Sequence, residues 1–215
     1  MTTWTRYVQR FAHGESVERM TFFSDAVFAI AMTLLIIELH APEVPDAALP
    51  DALRELVPGY LTFVLSFVVV GFVWLSHHRK FAAIERYDQG LLRMNLLMLL
   101  FVASLPLPTA ILGLHGDDVL AVVLYAATIS LIGFLMTGMW LYAWHRGLVA
   151  ASIDLAVFRL VLVQSFPIPG IFLLSIPVAL LAGASAGELS WIAAVPASAV
   201  ITRVYRARTE ETAPA

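Results

Sequence analysis

Residues 19–39, RMTFFSDAVFAIAMTLLIIEL, form the stretch of sequence from which the fold of this chain can be read. A helix rises about 1.5 Å per residue, so about 20 residues cross the hydrocarbon core of a bilayer. The stretch nevertheless carries Arg19, Ser24 and Asp25 near its start. A helix that only anchors a protein has no need of these groups. The segment is therefore predicted to be a transmembrane helix with a further role.

A helix of this sequence has one apolar face and one face with polar groups. At about 100° per residue, six residues share the apolar stripe: Phe23, Ala26, Ile30, Thr33, Leu34 and Ile37. Ser24, Asp25 and Phe28 lie on the opposite side. Because an ionisable residue in a membrane helix usually faces protein or water, Asp25 is expected to face neighbouring helices. The apolar stripe then faces lipid, other spans or a central axis, and periodicity does not choose among them.

Composition indicates the class of protein. Of the 215 residues, 60% are hydrophobic and 13% are charged, whereas a soluble domain carries about 25% charged residues. The mean hydropathy is +0.84. A polytopic membrane protein without a large soluble domain is therefore predicted. The chain has no cysteine, which excludes disulfides, thiolate catalysis and cysteine metal sites.

Apolar segments alternate with polar connections along the chain. We predict an all-α integral membrane protein with six transmembrane helices, at about 20–39, 57–76, 91–114, 119–144, 155–182 and 189–201. An N-terminal segment, 1–18, precedes the membrane domain of residues 19–205, and a flexible tail, 206–215, follows it.

Several connections carry local signals. The second span is expected to end at HHRK, with a charged loop at 77–90, and GASAGE, 183–188, is expected to form a turn before the last span. The prolines of SLPLPT, residues 104–109, are expected to kink the third span because proline removes a backbone donor.

The Lys and Arg residues are distributed unequally between the two sides. Twelve of the 13 lie in the N-terminus, the 77–93 loop, the 145–159 region and the C-terminal tail, and only Arg54 lies on the other side. Positive residues favour the cytosolic side, so both termini are predicted to be cytosolic.

Arg19-x-x-x-Phe23-Ser24-Asp25 resembles the RxxxFSD signature of the transmembrane protein 175 family, lysosomal-type potassium channels with bacterial relatives. WLSHHRKF, 74–81, and NLLMLLFVASLPLPT, 95–109, look like that family's second and third helices. The resemblance covers residues 19–113 well, whereas spans four to six match mainly in number and length. It implies a potassium-permeable channel of the cell (plasma) membrane, a homotetramer with the first helix of each subunit lining a central pore. The implied partners are further copies of the chain, the lipid bilayer and potassium ions, with no nucleic acid and no cofactor.

The resemblance also implies roles for the apolar stripe. Ile30, Leu34 and Ile37 match the family's apolar constriction, in which rings of such side chains exclude water and act as a gate. Thr33 would add a ring of hydroxyls that aids selectivity for potassium. The alternative for the three apolar residues is packing against lipid or other spans. The alternative for Thr33 is a hydrogen bond to the carbonyl of Ala29 in its own helix.

The polar residues at the start of the first helix have a different implied role. Asp25 lies six residues from Arg19, about 120° round the helix, so these two side chains do not form an i, i+4 ion pair. Their partners are expected on other helices, and His77 and Asn95 are the candidates. By resemblance, these groups tie the first three helices together as a structural network outside the ion path: Arg19, Phe23, Ser24, Asp25, His77 and Asn95.

Enzyme signatures are absent, since the chain has no HExxH, no GxSxG and no glycine-rich phosphate loop. We therefore predict no catalytic residues and no metal site. Two further functions stay open: a secondary transporter or proton-coupled carrier with Asp25 as its titrating group, and a non-conducting membrane scaffold. The absence of inverted repeats and of paired broken helices argues against the transporter.

Overall fold

The computed structural model describes residues 17–37 and 39–211. Glu38, residues 212–215 and all but the last two residues of the predicted N-terminal segment lie outside this part. The described chain is all-helical, which confirms the predicted class. Within these residues, five helical segments are long and apolar enough to cross a membrane.

The helices are numbered in chain order. They are α1 (Val17–Leu34), α2 (Leu49–Glu55), α3 (Val57–Ala82), α4 (Gln89–Ser104), α5 (Pro106–Leu114), α6 (Val119–His145), α7 (Leu155–Gln164), α8 (Pro167–Ala182), α9 (Ala184–Trp191) and α10 (Ala194–Glu211). The five long apolar segments are α3, α4 with α5, α6, α7 with α8, and Ala184–Ile201. The first helix carries Glu18, Arg19 and Asp25 and is not among these five. The count of six spans stays a prediction.

Prolines divide two of the apolar segments. α4 ends at Ser104, and the N–H of Leu105 makes an i to i−3 hydrogen bond to the carbonyl of Val102, at 3.2 Å. Pro106 begins α5. A proline inside a helix lacks the N–H donor and clashes with the preceding turn, whereas at the first position of a helix it is tolerated. The kink expected from SLPLPT is present as this break. A second break follows the same rule at Pro167, between α7 and α8.

The first helix is shorter than expected from its sequence. It ends at Leu34 rather than near residue 39, and residues 35–37 form a turn. The N–H of Ile37 binds the carbonyl of Leu34 at 3.1 Å, and the N–H of Leu39 binds that of Ile36 at 3.1 Å. These i to i−3 hydrogen bonds give partners to carbonyls at the end of the helix. The turn they form is tighter than an α-helical turn and ends the helix.

The second long helix is longer than expected. α3 continues to Ala82, so the prediction that it stops at HHRK and gives way to a loop over 77–90 is wrong. His77 and Lys80 are buried; Nε2 of His77 is hydrogen-bonded to Asn95 of α4, and Nζ of Lys80 donates to Ser76 of α3 itself. Because His77 is hydrogen-bonded to a neighbouring helix, this polar stretch can stay helical.

The expected turn at GASAGE is confined to one residue. Gly183 adopts φ 93°, which glycine reaches without a steric penalty, and α9 begins at the next residue. α9 folds back along α8, and a Cβ on Gly187 would lie 2.7 Å from the Cβ of Ala179. Glycine is needed here for this close helix contact.

The sixth helix connects two groups of helices. α6 packs against α4 and α5 on one side and against α8 on the other. α1 packs against α3 and α4, while α10 packs against α7 and α8. The polar residues of α1 therefore lie within the first group, formed by α1, α3, α4 and α5.

Candidate functional site: the first helix and its contacts

The first helix contacts the rest of the chain through one face. Its buried side chains, together with Leu35 just after its end, repeat at three to four residues: Met20, Ser24, Phe28, Ala31 and Leu35. This is the helical period, and the helices behind the face are α3 and α4. The orientation of α1 is therefore set by its buried side.

The predicted apolar stripe lies on the opposite, exposed side of α1. The exposed fractions are 53% for Phe23, 58% for Ile30, 39% for Leu34 and 60% for Ile37. Ile37 lies in the turn three residues beyond the last helical residue and is exposed as well. Within one subunit nothing in the described part of the chain covers this face, so it is available to lipid or to further copies of the protein.

Thr33 is exposed within this stripe. Its hydroxyl donates to the carbonyl of Ile30 at 2.9 Å, one residue away from the Ala29 carbonyl expected from the sequence. A hydroxyl has one donor and two acceptor lone pairs. Because its hydrogen points to the helix, the Thr33 oxygen keeps lone pairs that could coordinate a cation.

Three fully buried side chains form a hydrogen-bonded chain behind the stripe. Nε2 of His77 lies 3.1 Å from Oδ1 of Asn95, and Nδ2 of Asn95 donates to Oγ of Ser24 at 2.9 Å. Ser24 donates in turn to the carbonyl of Met20 at 2.8 Å. Since Oδ1 of Asn95 accepts, Nε2 of His77 carries the proton. The chain joins α3, α4 and α1.

The His77 ring is held by aromatic neighbours. It stacks on Phe81 with ring centroids 4.0 Å apart and lies 5.5 Å from the ring of Phe28. Its Nδ1 atom is buried and has no hydrogen-bond partner among the described residues. A buried acceptor without a partner costs about 1–3 kcal/mol. This position of the ring therefore lowers the free energy of unfolding.

Asp25 has a partner that differs from the expected one. Its Oδ1 atom accepts a hydrogen bond from Nε1 of Trp74 at 2.8 Å, whereas the sequence suggested His77 or Asn95. Trp74 lies one turn before His77 on α3. The two neighbouring polar residues of α1 thus bind different partners: Ser24 binds Asn95, and Asp25 binds Trp74.

The other two residues of the predicted network lie elsewhere. Phe23 is 53% exposed and points away from the buried chain. Arg19 is exposed on the first turn of α1. The structure therefore brings together Ser24, His77 and Asn95, places Asp25 beside them through Trp74, and leaves Phe23 on the outer face.

A second buried polar cluster was not found by sequence reasoning. Oγ1 of Thr109 lies 3.0 Å from Oγ of Ser66, which lies 3.0 Å from the hydroxyl of Tyr125. The three residues come from α5, α3 and α6, and each is at most 4% exposed. Single polar residues within apolar runs were the only signal, and it did not show that they meet.

Asp88 fixes the connection between α3 and α4. Its carboxylate caps α4 by accepting from the N–H of Leu91 at 2.9 Å, and it also accepts from the Tyr142 hydroxyl at 2.8 Å and from Nε of Arg146 at 3.4 Å. Partial burial raises the pKa of this carboxyl. The hydrogen bonds from Leu91, Tyr142 and Arg146 and the Arg146 charge outweigh that effect and lower it below the ordinary value of 3.8.

These features define a class of protein. The described residues form a bundle of long apolar helices whose polar side chains bind one another between helices, as a multi-pass membrane protein requires. Among them no group of three or more His, Cys, Asp or Glu side chains is placed to hold a metal ion.

The family follows from comparison with known proteins. The sequence model of the family "Endosomal/lysosomal potassium channel TMEM175" matches residues 19–106. This range contains the exposed stripe, the Ser24–Asn95–His77 chain and the Trp74–Asp25 hydrogen bond. Over these residues the chain is similar to the transmembrane protein 175 family, which confirms the resemblance found in its sequence.

Individual relatives agree with this assignment. A potassium channel of Streptomyces collinus is 39% identical over 132 residues, which are 59% of this chain and 63% of the relative. A potassium channel of Chamaesiphon minutus is 36% identical over 131 residues, 58% of this chain and 64% of the relative. The endosomal/lysosomal proton channel TMEM175 of Bos taurus is 42% identical over 101 residues, 43% of this chain and 21% of the relative. The chain thus spans less than two thirds of the length of each.

Solved structures share the fold. The crystal structure of a lysosomal potassium-selective channel TMEM175 homolog from Chamaesiphon minutus is 28% identical, covers 86% of this chain and 97% of its own, and has a TM-score of 0.72. A variant of the potassium channel MtTMEM175, in complex with a nanobody–MBP fusion, has a TM-score of 0.62 at 20% identity and covers 90% and 94%. The second likeness is one of fold alone. The relatives are ion channels and not enzymes.

Proposed function

We propose that the chain is a potassium-permeable cation channel, active as a homotetramer with α1 of each subunit lining a central pore. The observation that carries the proposal is the division of α1 into two faces. Ser24 is buried against Asn95, and Asp25 is held by Trp74, while Ile30 and Ile37 stay 58% and 60% exposed. Four such outer faces around one axis would form a continuous apolar lining. The potassium channels among the relatives support this arrangement.

The gate of the proposed channel is the apolar part of this lining. Rings of Ile30, Leu34 and Ile37 around a narrow axis would exclude water, and a dewetted constriction is a barrier to ions. Opening then requires that the α1 helices rotate or move apart. Thr33, between Ile30 and Ile37, would offer one hydroxyl oxygen per subunit, so potassium selectivity should be moderate compared with stacked carbonyl rings.

The proposed topology has α1 as the first of six spans, with both termini cytosolic and the protein in the cell membrane. The channel domain would be residues 19–205, between the N-terminal segment 1–18 and the tail 206–215. The distribution of Lys and Arg supports the orientation, since twelve of the 13 lie on the side assigned to the cytosol. The hydrogen bond from Trp74 supports α1 as a span, because it reduces the cost of Asp25 in the membrane.

Ion flux tests this function directly. Purified protein is reconstituted in potassium-loaded liposomes, and efflux is followed with potassium or with sodium as the permeant ion. We expect efflux above that of empty vesicles, with potassium passing faster than sodium. Efflux equal to that of empty vesicles would reject the channel and favour a scaffold, whose oligomers do not conduct.

The same vesicles distinguish the transporter. A secondary transporter or proton-coupled carrier with Asp25 as its titrating group predicts saturable uptake that is lost in Asp25→Asn. A channel predicts flux that rises with the gradient without saturating at low concentration. In the channel, Asp25→Asn weakens the contact with Trp74 and lowers the amount of folded protein without making the remaining flux saturable.

A further inference from the structure

A cavity of about 200 Å³ lies between the end of α3 and the helices α6 and α7. Its polar lining includes Arg79, Lys80, Gln164 and Ser165, and its apolar lining includes Trp140 and Val161. None of these residues belongs to the Ser24–Asn95–His77 chain or to the exposed stripe of α1. The proposed channel function does not use this cavity.

Lys80 is the most unusual group in the lining. It is only 4% exposed, and its described contact is a 3.2 Å hydrogen bond from Nζ to Oγ of Ser76. An ammonium group has three donors and a full charge. Burying such a charge without an opposite charge is costly, yet no carboxylate among the described residues forms an ion pair with Lys80. An anion in the cavity would supply the missing partner.

Arg79 adds a second positive charge at the same place. Its Nε atom donates to the carbonyl of Leu75 at 3.2 Å, and its two terminal amino groups form no hydrogen bond or ion pair with other described residues. A guanidinium presents paired donors that match the oxygens of a phosphate, while a lysine acts as a point charge beside it. The two adjacent side chains together suit a phosphate group better than a carboxylate or chloride.

The apolar wall indicates where the phosphate comes from. Trp140 and Val161 face the same space as the two cations, and Trp140 already uses its indole N–H on the carbonyl of Phe158, at 3.2 Å. Its ring is only 1% exposed, so the apolar surface open to a ligand comes mainly from Val157 and Val161 of α7. A free phosphate ion gains nothing from such a wall, whereas the glycerol and acyl parts of a lipid do. Basic pockets between membrane helices are typical sites for anionic lipid headgroups.

We infer that this cavity binds the headgroup phosphate of an anionic phospholipid, at one site per subunit. The phosphate contacts Lys80 and Arg79, and the start of the acyl region lies against Val157 and Val161. The lipid would then bridge α3 to α6 and α7, across the two helix groups that α6 connects.

The inference is tested by native mass spectrometry of the full-length protein in detergent, titrated with phosphatidylglycerol or phosphatidylcholine. We expect one tightly retained phosphatidylglycerol per subunit and weaker retention of phosphatidylcholine. Lys80→Gln and Arg79→Gln should each raise the apparent Kd for phosphatidylglycerol on the order of tenfold, since each removes a charge-assisted hydrogen bond. The control is Arg93→Gln, which removes an exposed positive charge outside the cavity and should leave the Kd unchanged.

Three results would overturn the inference. The first is equal retention of the two lipids by the unaltered protein, and the second is an unchanged Kd in both cavity variants. The third is displacement of phosphatidylglycerol by inorganic phosphate at comparable concentration, which would indicate a site for soluble anions. If Lys80→Gln does not fold, phosphatidylglycerol retention is measured in Val161→Trp instead. This variant fills the cavity and keeps both cations, so it should lower the retention. Retention unaffected by Val161→Trp would place the lipid elsewhere.

Discussion

The side-chain amide of Asn95 donates a hydrogen bond to the hydroxyl of Ser24 at 2.9 Å, between residues 71 positions apart in the chain. Both side chains are fully buried. The bond joins α4 to α1 and turns one face of α1 inward. As a consequence the opposite face, with Ile30 and Thr33, must point outward. The orientation of the proposed pore lining thus depends on a contact that does not itself touch the pore.

Asn95→Leu should destabilise the protein. The substitution removes the acceptor of His77 and the donor to Ser24, and a buried polar group left without its partner costs about 1–3 kcal/mol. The melting temperature in detergent, followed by tryptophan fluorescence, measures the loss. Thr128→Val is the control, because that hydroxyl is exposed and binds only the Leu124 carbonyl of its own helix, at 2.8 Å. A melting temperature for Asn95→Leu equal to that of the control would contradict the structural role of the chain.

Ile30→Asn should raise the basal leak of the channel. An amide at the proposed constriction would stabilise water there and lower the barrier to ions. Potassium efflux from liposomes measures the leak before any opening stimulus. Leu174→Asn serves as control, since Leu174 is 66% exposed on α8 and Ile30 is 58% exposed on α1. Equal leak in the two variants would mean that Ile30 faces lipid and that the gate lies elsewhere.

Thr33→Val should lower the preference for potassium over sodium and keep the channel conducting. Valine has nearly the same shape but offers no oxygen to the ion. A hydrogen-bond-like contact worth about 0.5–1.5 kcal/mol corresponds to a change of about two- to tenfold in the permeability ratio. Reversal potentials in planar bilayers under bi-ionic conditions give this ratio. If Thr33→Val and Thr128→Val have the same ratio as the unaltered channel, Thr33 does not contact the ion.

Asp88→Asn should make the stability of the protein decrease less steeply as the pH falls into the acid range. The pKa of Asp88 is lower in the folded protein than the ordinary 3.8, so its ionised form favours folding. This contribution is complete above the unfolded-state pKa and is lost as the pH falls through the folded-state pKa. Asparagine keeps the helix cap but carries no charge to lose.

The measurement for this prediction is the melting temperature from neutral pH down through the region below 3.8. The unaltered protein should lose stability more steeply than Asp88→Asn. Asp154→Asn is the matched control, because Asp154 caps α7 through the N–H of Val157 at 2.8 Å but has no Tyr or Arg partner among the described residues. Parallel acid curves for the unaltered protein and Asp88→Asn would contradict the stabilising effect of the ionised carboxylate.

Hydropathy and proline positions predicted those structural features that depend on residues close together in the sequence. The apolar period of residues 19–37 predicted which side of α1 is polar, and Pro106 predicted the break in the third apolar segment. The ends of elements were less predictable. HHRK is a polar stretch that predicts a helix end, yet α3 continues through it, and the buried His77 is hydrogen-bonded to Asn95 of α4. No pattern within α3 contains that information.

The sequence by itself determined that this is a helical membrane protein, that residues 19–106 are similar to the transmembrane protein 175 family, and that its first helix has two unlike faces. Hydropathy and helical period decide these properties, because each depends on residues within a few turns of one another. Tertiary structure alone decided that Asp25 binds Trp74 and that Ser66, Thr109 and Tyr125 meet in the core. Such contacts join residues far apart in the chain, and their geometry is set by how whole helices pack.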